Sequence, residues 1–259
     1  MKVIRRIYLA IMFVFIYAPI FVMILFSFNE GESRGKLTGL SLRWYKAIPE
    51  SEYTSALGNT FLLAISSAII SVIIGTYAAI IINKLSSGKK YAVMQIVNIP
   101  MLNAEIVTGV SLMMLFTTLS VTLGFGTLLL AHVIFSVPYV VLSVMPRLRG
   151  VSKSVYEAAL DLGAKPSFAF RKVVIPELIP GIISGFAMAF MLSIDDFIIS
   201  FFTAGPDFMT LATKIYSAKT GVKIEVNALL TILVLIVTVF MIIYTIFKRK
   251  AEKKGVEKK

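Results

Sequence analysis

Cysteine is missing from these 259 residues, tryptophan and histidine occur once each, and 14 acidic side chains face 26 lysines and arginines. Without thiols there are no disulfides and no thiolate metal sites. The single histidine, His132, stands in an apolar run, where a hydrogen-bonded packing role suits it better than ligand or proton-relay duty. No Ser/His/Asp arrangement and no metal-ligand cluster appears. A phosphate-cradling G-x-x-x-x-G-K-[ST] loop is also missing, since Ser87-Gly88-Lys89-Lys90 lacks the earlier glycine and the hydroxyl residue. The chain is therefore expected to have no catalytic residue, to bind no cofactor or metal, and to hydrolyse no ATP itself.

What the chain does have is apolar length. It is 58% hydrophobic with a mean hydropathy of +0.87, and the apolar residues fall into runs of roughly 20, the length a helix needs to cross the hydrocarbon core. This predicts an all-α, polytopic membrane protein with six transmembrane helices, at about 7–28, 57–82, 93–119, 127–146, 179–202 and 227–247. The short alternating segments of a β-barrel are not seen. The third span is the least uniform, containing Asn98, Pro100, Asn103 and Glu105. The first follows Lys2, Arg5 and Arg6, is longer than a signal-peptide core and lacks a small-x-small cleavage pattern, so it is expected to remain as a helix.

The net charge of +12 is distributed by side. With the N-terminus inside, 19 of the 26 basic residues fall on the inner side of the six spans: before residue 7, in 83–92, in 147–178 and after 247. The positive-inside rule then puts both termini and residues 147–178 in the cytoplasm, and anionic lipid accounts for the charge without any nucleic acid. Residues 29–56 make the larger external loop, with Gly31, Gly35 and Gly39, and with Trp44 and Tyr45 suited to anchoring at the membrane interface. Residues 83–92 are a basic hairpin that anchors topology. In 203–226, Gly205-Pro206-Asp207 signals a turn and Leu211 to Tyr216 a short helix. The organisation expected is a first helix and external loop (1–56), a transmembrane domain (57–247) and a Lys/Glu-rich, solvated and frayed cytoplasmic tail (248–259).

Residues 147–178 are too long and too patterned to be a bare connection. Ser154 followed by Glu157 fits a capping box, Gly163 suits the left-handed residue that ends a helix, and Pro166 fits the first turn of the next one. Ala158 and Ala159 leave one helix face nearly flat, open either to another protein's groove or to this protein's own inner surface. The string Tyr156-Glu157-Ala158-Ala159-Leu160-Asp161-Leu162-Gly163, with Ile175-Pro176 further on, resembles the EAA loop of binding-protein-dependent importer permeases, the leucine-proline of that family being isoleucine-proline here. The resemblance implies a type I ABC importer permease fold, a core of five helices with the first span wrapped around a partner. It also implies that Glu157, Ala158, Ala159, Asp161 and Gly163 belong to cytoplasmic coupling helices seated in the groove of an ATP-binding subunit. ATP and magnesium would then be used by that partner.

Acids inside spans cost roughly 2.5–3.5 kcal/mol each at a helix centre, and such residues usually face a pathway or a partner. They are Glu105 in the third span and Asp195-Asp196 in the fifth. On one continuous helix the last two point about 100° apart, so one can face the pathway while the other bonds a neighbouring helix. Bonds from all three to Asn, Ser or Thr of other helices are the alternative. Ser193 to Phe202 around these acids, together with Gly205-Pro206, Lys214-Ile215-Tyr216, Tyr17-Ala18-Pro19 and Leu42-Arg43-Trp44-Tyr45, is similar to the PotC-type spermidine/putrescine permeases of that family. That likeness implies a substrate pathway containing Asp195, Asp196, Glu105, Phe197, Phe201 and Tyr216, in which carboxylates pair with ammonium groups and aromatic faces offer cation–π contact. It further implies a second homologous permease subunit, two copies of the ATP-binding subunit and an external polyamine-binding protein, in a bacterial inner membrane. A basic amino acid or thiamine is another cationic substrate compatible with the residues. The competing reading is an ATP-independent secondary transporter or channel for a small organic cation, coupled through the intramembrane acids; it has no use for the EAA loop. A purely structural scaffold has no use for the acids.

Overall fold

Apolar runs bounded by capping and turn residues fold into helices throughout a computed structural model that describes residues 2–32, 36–218 and 224–256. Gly35 and the last three residues of the tail lie outside these. In chain order come α1 (Lys2–Ser27), α2 (Arg43–Ala47), α3 (Glu52–Asn83), α4 (Ser87–Leu102), α5 (Glu105–Thr118) and α6 (Phe125–Gly150). There follow α7 (Lys153–Asp161), α8 (Pro166–Ala169), α9 (Ile175–Asp195), α10 (Ile198–Thr203), α11 (Leu211–Tyr216) and α12 (Glu225–Val256). The only strand-like pairing among the described residues is an isolated bridge between Asn29 and Leu40. Among the described residues, five helices are long and apolar enough to cross a membrane, and α4 with α5 makes a sixth only as a pair bent by 98°. The third span, expected over 93–119 and the least uniform in sequence, is thus two helices, and the fifth, expected to run to 202, ends at Asp195.

The chain divides into two units. The first comprises Met1–Leu57 and Lys214–Ile242. In it the buried Asn29 organises the loop after α1: its Oδ1 accepts the backbone N–H of Thr38 at 2.9 Å, and its Nδ2 donates to the Lys36 carbonyl at 3.0 Å. Trp44 donates its indole N–H to the Asn29 carbonyl at 2.6 Å and packs with Ile224 and Ala228. Trp44 is therefore buried in protein instead of anchoring at the lipid interface, because its polar edge finds a backbone carbonyl and its ring an apolar neighbour within the chain. Tyr45 bonds Ser27 through its hydroxyl at 2.7 Å.

The second unit comprises Gly58–Thr213 and Ile243–Lys259, with α6 and α9 as its principal packed pair. Leu112 and Phe116 of α5, Ala131 and Phe135 of α6 and Ile199 of α10 form one buried cluster. Where Gly205 passes α6, a Cβ would stand 2.2 Å from the Leu123 carbonyl oxygen, so only glycine lets the two backbones approach. Phe208 donates its N–H to the Gly205 carbonyl at 3.3 Å, closing the expected turn at Pro206-Asp207. The α12 backbone continues past Lys248 to Val256.

Candidate functional site

Two interrupted helices place the intramembrane acids. The first interruption is at Asn103-Ala104, where the chain turns extended; Glu105 then opens α5, exposed, and Val107 and Thr108 donate to the Ala104 carbonyl. The second is at Asp196-Phe197, between α9 and α10. Glu105 lies within electrostatic reach of both Asp195 and Asp196, and Tyr139 of α6 within reach of Glu105. The packing of α5 against α10 brings the two breaks together.

Asp195 and Asp196 do not share a helix, which corrects the 100° geometry expected for one continuous span. Asp195 closes α9 and is exposed. Asp196 is 7% exposed, and its carboxylate is taken up by the chain itself: Oδ1 accepts the N–H of Ile199 at 3.1 Å and Oδ2 the N–H of Ser200 at 2.8 Å. These are the orphan donors at the start of α10, so Asp196 caps the short helix that follows it. His132 of α6 stands against this cap, its Nε2 3.1 Å from Ser200 Oγ and 3.4 Å from Asp196 Oδ2. Its Nδ1 is 2.9 Å from Ser193 Oγ, which in turn lies 3.1 Å from Ser67 Oγ of α3. The hydrogen-bonded packing role expected for His132 is what the structure contains.

The aromatic residues continue the site on α10. Phe197, half-buried, and the more exposed Phe201 have centroids 5.7 Å apart, and Phe202 meets Phe201 edge-on at 5.3 Å. Tyr216 belongs to the first unit and is exposed. Ser193 and Ser200 escaped sequence reasoning, although hydroxyls flanking paired acids in an otherwise apolar span were the available signal.

The loop 147–178 forms the two short helices its punctuation predicts. Ala164 donates to the Ala159 carbonyl at 3.1 Å and Gly163 to the Leu160 carbonyl at 2.9 Å, with Gly163 at φ +84°, a Schellman ending to α7. Pro166 opens α8, and a π-helical turn over Phe170–Val174 leads into α9. The expected capping box is not formed: Ser152 occupies the N-cap position, and its hydroxyl pairs with that of Ser154 at 2.7 Å instead of a backbone N–H. Glu157, Ala158, Asp161 and Gly163 are exposed and Ala159 half-buried. Beside them Val155, Leu162 and Phe168 are 52%, 89% and 57% exposed, a run of apolar side chains at the surface of a polar loop.

Residues 71–254 match the family model of the binding-protein-dependent transport system inner membrane component. This chain belongs to that family. It is a multi-pass membrane component of a transport system. It is 33% identical over 248 residues to the spermidine/putrescine transport system permease protein PotC of Haemophilus influenzae, covering 95% of this chain and 96% of that one. It is 34% identical over 263 residues to the putrescine transport system permease protein PotI of Escherichia coli K12, covering 97% and 93%. Among solved structures, the inward-facing MetNI methionine ABC transporter superposes with a TM-score of 0.63 at 18% identity, over 76% of this chain and 95% of that one. A bacterial ABC transporter involved in import of the acidic polysaccharide alginate gives 0.69 at 15% identity, over 96% and 98%. These likenesses show the fold of ABC importer permeases, as the EAA string implied.

Proposed function

We propose that this family member is the channel-forming permease subunit of an ATP-driven importer that carries polyamines, spermidine or putrescine, into the cytoplasm. The observation that carries the reading is identity of about one third with PotC and PotI along nearly the whole chain. The chemistry supports it. Exposed carboxylates at Glu105 and Asp195, with the rings of Phe197 and Phe201 following the second break, suit a flexible apolar stem bearing two or more ammonium groups, which acids pair with and aromatic faces attract. Tyr216, an exposed aromatic residue of the first unit, is kept as a pathway residue on its chemistry alone; Asp196 supports the exposed acids from within the protein.

In this reading both termini and α7–α8 face the cytoplasm, and Glu157, Ala158, Ala159, Asp161 and Gly163 seat in an ATP-binding subunit, with Leu162 and Phe168 supplying apolar area. The assembly has a second homologous permease subunit, two ATP-binding subunits that use ATP and magnesium, and an external polyamine-binding protein.

The deciding experiment is ATP hydrolysis by the reconstituted complex with its binding protein, for the wild type and Glu157→Lys. Stimulation by spermidine or putrescine, lost in an assembled Glu157→Lys complex, is the expected result. Stimulation by another cation alone overturns the substrate. Uptake driven by a proton gradient without any ATPase overturns the importer.

A further inference from the structure

The buried polar groups around the second helix break form one ordered chain. Asp196 Oδ2 stands 3.4 Å from His132 Nε2, so an unprotonated Nε2 would set acceptor against acceptor. The ring therefore presents Nε2–H to Asp196 and Ser200, and in the neutral ring Nδ1 accepts from Ser193, which accepts from Ser67. Ser67, His132, Ser193 and Ser200 are all 2% exposed or less. The chain runs from α3 through α9 and α6 to α10, tying both sides of the break to two other helices.

Around the break at Asp196-Phe197, α10 is also held by apolar packing, through Ile199 in the buried cluster and through α5, and by the Thr127 hydroxyl on the Thr203 carbonyl, but none of these ties engages the acids. The sequence on either side is apolar, and α10 has only six residues, too few to persist without an external tie. If the chain stayed helical past Asp195, Asp196 would leave its N–H donors and both acids would turn with the helix.

We infer that His132 is a positioning residue for transport: by holding Asp196 and Ser200 on one side of its ring and Ser193 on the other, it keeps Asp196 as the cap of α10 so that Asp195 alone is presented to the pathway. This rests on the reading of Asp195 as a pathway residue, but the geometry of the break can be tested separately from transport.

The chain's lack of cysteine makes the geometry measurable. Ile199 is fully buried, and its N–H is one of those Asp196 accepts. In the assembled complex in membranes, Ile199→Cys should resist a membrane-permeant thiol reagent. Adding His132→Leu, which keeps bulk but removes both bonds, should raise the labelling rate about tenfold, and His132→Gln, whose amide N–H reaches about as far as Nε2, should restore most of the protection. In uptake, His132→Leu should lower kcat about tenfold, with little further loss when added to Asp196→Asn, as expected of residues acting as one unit. Unchanged labelling in His132→Leu, no protection from His132→Gln, or losses that multiply independently each overturn the inference. If His132→Leu does not assemble, Ser193→Ala and Ser200→Ala each remove one arm while keeping the ring, and unchanged labelling with both overturns it equally. Restored protection in a complex that transports no polyamine would leave the positioning role standing and remove the proposed substrate.

Discussion

Asp196 accepts the backbone N–H of Ser200 at 2.8 Å while its neighbour Asp195 is exposed, so two adjacent acids of one apolar segment do different work. One completes a helix start inside the protein, and the other is the one the proposed pathway would offer to a passing cation. Asp195→Asn is expected to lower polyamine uptake with normal assembly. Asp196→Asn is expected to cost about 2 kcal/mol of stability, since hydrogen bonds to charged groups are worth roughly 1.5–3 kcal/mol and an amide offers one acceptor oxygen where two are used. Uptake and thermal unfolding of both purified variants separate the roles; equal stability of the two would contradict the assignment.

Gly163 ends α7 at φ +84° with open space where a Cβ would go, so a substitution there is strained by backbone conformation alone. Gly163→Ala should cost roughly 1–2 kcal/mol locally, enough to loosen the turn between α7 and α8. The expected outcome is reduced retention of the ATP-binding subunit during purification, with the membrane-spanning helices unchanged by circular dichroism.

Trp44→Phe keeps an aromatic ring against Ile224 and Ala228 but leaves the Asn29 carbonyl without its indole donor. A loss of about 1 kcal/mol is expected from the lost hydrogen bond. Faster proteolytic cutting between Asn29 and Trp44 would report it, and an unchanged cutting rate would show that the bond contributes nothing.

Gly205→Ala places a methyl group 2.2 Å from the Leu123 carbonyl oxygen, where backbone must give way to backbone. Overpacking of this kind typically costs about 1–3 kcal/mol. A lower unfolding temperature in detergent is expected, with no comparable drop for Gly126→Ala, where nothing stands within 4 Å.

Much of this protein was legible as a one-dimensional pattern. Apolar length marks spans, Gly163 and Pro166 mark the end of α7 and the start of α8, and Leu211–Tyr216 is the short helix its residues suggest. These features depend on a residue's own backbone preferences or on neighbours within one turn. Trp44 shows the limit: an aromatic residue beside a span gives the same signal whether its ring meets lipid or Ile224, and only the fold brings Ile224 to it. Ser152 and Ser154 show another, because a hydroxyl can bond a second hydroxyl as readily as a backbone N–H.

The sequence by itself determined that the chain is helical and membrane-spanning, where most spans lie, and which acids are costly enough to require a use. Tertiary structure alone decided that α9 stops between Asp195 and Asp196, that Glu105 comes near them, and that His132 stands against the cap. The reason is that hydropathy and turn preference are properties of the local chain. The choice between continuing a helix and breaking it to cap another depends on partners 61 to 68 residues away in sequence, as His132 is from Ser193 and Ser200.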